Sequence, residues 1–198
     1  MKYPDFFDSI ETIKVVDPLA KVLGAFEDGV YEFNYLEIVK AAGHSCPTVA
    51  GAYLITLEAL KALYPNEQAV RGNIKVEFGE PLEEGVAGVI SNVVSQITGA
   101  TDKSGFKGLA GKFARHSLMF FDVNINSSAR FTRVDNGKSV DVYYDPSSIG
   151  GNPKMQQLMQ KMMGGVANTQ EIKEFGELWQ DRVKRIFENM SSVVKVVA

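Results

Sequence analysis

Two of the three soft donors in this chain fall in one five-residue run, Gly43-His44-Ser45-Cys46-Pro47. The chain has a single cysteine and only two histidines, so this run holds two of the three cysteine and histidine side chains in the molecule. Proline is favoured at the first position of a helix, where its missing N–H has no partner to lose, and a helix starting at Pro47 makes Cys46 the N-cap. There the free backbone N–H groups and the positive end of the helix dipole favour a thiolate over a thiol. His44, two residues earlier, can offer a neutral nitrogen to the same point. The other histidine, His116, is expected to open a central strand. A thiolate with imidazoles and an open position suits zinc or another late first-row divalent ion, with water as a remaining ligand. Such an ion would polarise a substrate oxygen or activate water, which makes Cys46 and His44 candidates for a catalytic role. The same donors would also serve haem as axial ligands. In a metal-free enzyme Cys46 would be the nucleophile and His44 or His116 its base.

These donors need a scaffold, and 198 residues of which 45% are hydrophobic can close one sizeable core. A formal charge of −3 leaves no basic face for a phosphate backbone, so nucleic acid is excluded as a partner. The N-terminus carries acid where a secretory leader carries base, and the longest apolar stretch, Val49 to Leu63, contains Glu58 and Lys61 and is too short to span a bilayer. A soluble, cytoplasmic protein is expected, and a lone cysteine fits a reducing compartment.

The pattern along the chain predicts an α+β fold: one core domain with a mixed or antiparallel sheet packed by helices, followed by C-terminal amphipathic helices. Residues 1–146 are read as the core with an N-terminal helical extension, and 147–198 as a C-terminal helical extension. Helical spacing is expected over Pro4 to Ile13, Leu19 to Phe26, Leu36 to Ala42 ending at Gly43, and Val86 to Ile97 ending at Gly99. The helix from Pro47 to Leu63 is apolar almost all round and should lie centrally. Strands are expected at Val30 to Tyr35, Ile74 to Phe78, His116 to Val123, Ala129 to Val134 and Ser139 to Tyr144. The last two are joined by Asp135-Asn136-Gly137-Lys138, a two-residue hairpin signal. Thr101 to Lys112 is a Gly- and Lys-rich loop. Two terminal helices follow, one capped near Asn152-Pro153 with a methionine stripe, the other from Thr169 to Met190 with Asn168 and Glu171 at capping-box spacing. Phe175, Trp179 and Ile186 on the latter must cover the sheet or form a two-fold interface.

The run from Gly43 to Pro47, followed by a small-residue helix with Gly51, resembles the opening signature of the formylmethanofuran dehydrogenase E-subunit-like family. Thr98-Gly99-Ala100-Thr101 resembles that family's Thr-Gly-Cys-Thr, Lys107-Gly108 its Gly/Lys-rich loop, and Arg115-His116 with Phe120 its Lys-His-aromatic strand. The resemblance spans Leu36 to Tyr144. It implies an α+β core, a homodimer, and a pocket in which His44, Cys46 and His116 gather round a metal, open to a small-molecule substrate or cofactor. Two family cysteines are absent, their places taken by residues near Val89 and by Ala100, so a cysteine-rich site is excluded. Asn92 stands where the family has an aspartate and would orient a substrate without acting as a base. Lys107 would hold a carboxylate or phosphate over the pocket. The dehydrogenase chemistry implied by the family's name belongs to other chains.

Overall fold

A computed structural model describes all 198 residues. A short 3-10 helix, Asp5–Ser9, leads into strand β1 (Ile13–Val16), where Ile13 and Val15 turn inward and Lys14 outward. Helix α1 (Pro18–Val22) is capped by Asp17, whose carboxylate accepts from the Leu19 and Ala20 N–H groups. After β2 (Val30–Phe33), an Asn34–Glu37 capping box starts α2 (Tyr35–Ala42), which closes on Gly43 at φ 76°. Helix α3 (Pro47–Leu63) follows, then β3 (Ala69–Val70), β4 (Ile74–Glu77) and α4 (Ala87–Thr98), which closes on Gly99 at φ 75°. Strands β5 (Met119–Phe120), β6 (Ala129–Arg133) and β7 (Ser139–Tyr144) precede α5 (Lys154–Met163) and α6 (Thr169–Glu188). The chain ends through α7 (Met190–Val193) and β8 (Val194–Val197). No helix is long and apolar enough to cross a membrane.

The strands make two mixed sheets, ordered β2-β1-β3 and β5-β4-β6-β7-β8. In the larger one only the β4–β5 pair is parallel, with α4 in the connection between them. Helix α3 lies against α4, α6, β7 and β8, and its Val49, Leu54, Ile55, Leu57, Leu60 and Leu63 are all buried. At roughly 2 kcal/mol per side chain, that burial is on the order of 10 kcal/mol, an upper bound because the unfolded chain already hides some of this surface. The fold class is the expected α+β, with α3 as its central helix.

Several local expectations need correction. Residues 10–13 leave the first helix, because Ile13 and Val15 pair with β2 across the small sheet. The strand expected over His116 to Val123 shortens to Met119–Phe120 at a sheet edge, since Ser117 and Asp122 both hold positive φ and end the extended run. In the β6–β7 hairpin only Gly137 takes positive φ, so the loop is longer than a two-residue turn: Gly137 N–H donates to Arg133 O, and Arg133 N–H to Lys138 O. The C-terminal segment also does more than extend the core. Helix α6 packs on α3, and β8 pairs with β7 as an edge strand of the main sheet.

Candidate functional site

Gly43 turns the chain out of α2, and the left-handed conformation needed there explains the glycine. His44 follows, exposed, with Nδ1 3.0 Å from Ala42 O. A carbonyl only accepts, so Nδ1 carries the proton, and a neutral ring then has its free lone pair on Nε2. Cys46 is the N-cap of α3, as the Pro47 rule predicts, and its Sγ accepts from Val49 N–H at 3.4 Å. The turn thus presents a nitrogen lone pair and a hydrogen-bonded sulfur two residues apart.

Four side chains from distant parts of the chain hold this turn. The Tyr35 hydroxyl lies 3.0 Å from Ser45 Oγ, and Ser45 O accepts from Trp179 Nε1 at 2.9 Å and Gln180 Nε2 at 3.1 Å. Tyr144 OH donates to Pro47 O at 2.6 Å, and its ring lies on Gly51, where any Cβ would overlap it. Burial, with the Cys46 charge adding to it, pushes the Tyr35 and Tyr144 phenols well above the usual tyrosine range. Both therefore stay protonated across physiological pH. Gln180 Oε1 is buried beside the turn without a partner.

A second cluster forms where α4 ends. Thr101 N–H donates to Arg115 O, Thr101 O accepts from Leu118 and Met119, and Asp102 O accepts from Ser117. This stitches Thr98-Gly99-Ala100-Thr101 to Arg115-His116, so the two motifs are neighbours. Asp17 reaches the same place: its carboxylate, almost fully buried, meets Arg115 at 2.5 Å, Arg71 at 3.0 Å and the Tyr31 hydroxyl at 3.2 Å. Burial alone would raise the Asp17 carboxyl, but the two guanidiniums outweigh it and hold the group below its ordinary value. His116 is half-buried, and its Nδ1 lies 3.0 Å from Ser117 Oγ, a partner that can donate or accept. Asn92, exposed on α4, lines a cavity of about 170 Å³ with Ser91, Ser95, Thr101 and Asp102. Lys107 is exposed on the loop.

The two clusters lie at opposite ends of α4. Val86 and Ala87, at its start, line a cavity with Tyr144, the residue that bonds Pro47; Gly99, at its end, abuts the Arg115 guanidinium. Twelve helical residues separate those ends by about 18 Å. The structure therefore places His44 and Cys46 on one turn at the start of α3, and His116 in the cluster at the far end of α4. No group of three or more His, Cys, Asp or Glu side chains is placed to hold a metal ion. The gathering of His44, Cys46 and His116 that the resemblance implies is not seen as a three-donor group within the chain. The residues that sequence reasoning missed are the clamp (Tyr35, Tyr144, Trp179 and Gln180) and Asp17. Trp179 had a visible signal as the single tryptophan on an amphipathic helix, but nothing in the spacing tied it to residue 45.

A family model described as FmdE, Molybdenum formylmethanofuran dehydrogenase operon, matches residues 41–195. The match takes in His44, Cys46, His116 and the C-terminal helices and leaves out Asp17, Tyr31 and Tyr35. No curated protein matches the chain.

Proposed function

Given that the chain belongs to the FmdE family, we propose that it is a metal-binding protein in which His44 Nε2 and Cys46 Sγ hold a divalent ion, zinc by its donor preference. The observation that carries this is the His44 Nδ1–H bond to Ala42 O. Metal-ligating histidines commonly donate their other ring nitrogen to a carbonyl, which fixes the tautomer and aims the free lone pair. The clamp on Ser45 and Pro47 holds the backbone between the two donors, so little order is lost when an ion arrives.

Two protein donors leave an ion with open positions. Those would take a small-molecule substrate, in a small metalloenzyme, or a cofactor ligand, in an accessory protein. When bound, the ion would supply Lewis acidity at the turn. The chain's own residues would supply the two donors, and Tyr35 and Tyr144 would keep neutral hydroxyls near the sulfur. A reducing, cytoplasmic setting suits an accessible thiolate that must not be oxidised. A metal-free reading in which Cys46 is the nucleophile has one observation in its favour, the Val49 N–H on Sγ.

Titration of the purified protein with Co²⁺, followed by the thiolate-to-cobalt absorption, tests the proposal. One equivalent should bind to the wild type, and Cys46→Ala or His44→Ala should weaken binding by at least about tenfold. No cobalt–thiolate band in the wild type would sink the metal reading. Stoichiometric alkylation of Cys46 in that case would favour the nucleophile, and a Soret band on haem addition the haem ligand.

A further inference from the structure

We infer that the protein binds a single-chain amphiphile with an anionic head, in a groove between α6 and residues 2–11. The inference does not rest on the metal reading. Two cavities meet in this groove. The inner one, about 260 Å³, lies among Phe6 and Ile10, Leu54 and Leu57 of α3, and Phe187 and Met190. Polar groups at its edge are engaged elsewhere: Ser9 Oγ donates to Phe6 O at 2.7 Å, and Lys61 takes the Glu11 carboxylate at 2.7 Å. The walls that remain are apolar and suit an acyl chain.

The outer cavity, about 750 Å³, shares Phe6 and Lys184 with the inner one and runs from there along α6. Its helix wall extends from Lys173 to Lys184 at the three- and four-residue spacing of one face, with Lys2, Tyr3 and Pro4 opposite. The charge open to a ligand there is positive. Arg185 holds Asp181 at 2.9 Å, whereas Lys173 and Lys184 meet Glu177 and Glu188 only at 3.5 and 3.6 Å, and Lys2 joins no ion pair. Both long pairs are between exposed side chains, so they hold weakly and yield to a better-placed anion. Gly176 marks the place of the head. It sits inside α6, where glycine weakens a helix, yet its φ is not positive and a Cβ there would meet nothing within 4 Å. Neither the backbone nor a packed neighbour calls for glycine. What the missing side chain keeps open is the groove itself, about two helical turns outward from Lys184. An acyl chain in the inner cavity therefore carries its head past Lys184 and over Gly176, among three ammoniums.

Calorimetric titration with octanoylglycerol phosphate, kept below its micellar concentration, tests this. One equivalent should bind per chain. Glycerol phosphate, the head alone, should show no measurable binding, and octanoylglycerol, the uncharged ester, should bind about tenfold more weakly. Lys184→Met should bring the phosphate ester close to the uncharged one. Gly176→Leu should fill the head's place and weaken the phosphate ester by at least about tenfold, while raising the thermal midpoint by about 2 °C, which separates the loss from unfolding. No binding to the wild type, equal affinity for the charged and uncharged esters, or unchanged affinity in both variants would each overturn the inference. So would glycerol phosphate binding as tightly as its ester. Any of these would leave the His44–Cys46 reading standing, and a missing cobalt–thiolate band would leave this groove untouched.

Discussion

Asp17 shows how much one side chain outside the family-matched span can matter. Its buried carboxylate faces two arginines, and removing one partner of such a group costs about 3 kcal/mol, because charges stay buried without compensation. Asp17→Asn should lower the urea midpoint accordingly at neutral pH. The pH dependence has a defined sign. The folded carboxyl titrates lower than the unfolded one, near 3.9, so its contribution is complete above that value and is lost as pH falls through the folded value. Wild-type stability should therefore fall more steeply below about pH 4 than that of Asp17→Asn. At the other cluster, Tyr144→Phe would remove the side-chain donor to Pro47 O and should cost about 1 kcal/mol in chemical denaturation. At this scale the sequence was legible where chemistry is local. Pro47 identified Cys46 as an N-cap, whereas the Tyr144, Trp179 and Asp17 contacts span about a hundred residues and leave no trace in spacing.

Among the elements, α3 and α6 fix the candidate site between them. Gly51 exists so that the Tyr144 ring can lie on α3; Gly51→Ala should displace the ring and cost about 2 kcal/mol, visible as a lowered thermal midpoint. Trp179→Ala removes both a half-buried ring and the Ser45 bond. It should destabilise by about 2 kcal/mol and loosen the turn, so cobalt affinity should drop even though neither donor is touched. Helices were the more legible elements because their caps are written in the sequence: Asn168 with Glu171, and Gly43 and Gly99 as stops. The short strands were not. Ile13 fits a helical period with Ile10 as well as, with Val15, the alternation that β1 adopts, and the apolar run near residue 120 reads as a long strand until the positive φ values of Ser117 and Asp122 interrupt it.

Across the whole molecule, the ends of the chain are structural members. Strand β8 supplies the edge of the main sheet beside β7, and Asp145 N–H reaches Val193 O just before it. Deleting Val194–Ala198 should uncover the β7 edge, lower the thermal midpoint by roughly 10 °C and promote association, measurable by calorimetry and light scattering. The α+β class and the central place of α3 follow from hydrophobic pattern alone. The position of His116 does not, because it depends on which way α4 carries the chain across the sheet. One further consequence follows from the Trp179–Ser45 bond. The chain has a single tryptophan, so its indole emission arises from one ring, anchored to the carbonyl between His44 and Cys46. Quenching or a spectral shift on adding an ion would report occupancy there directly, in unlabelled protein and at each step of a mixing experiment.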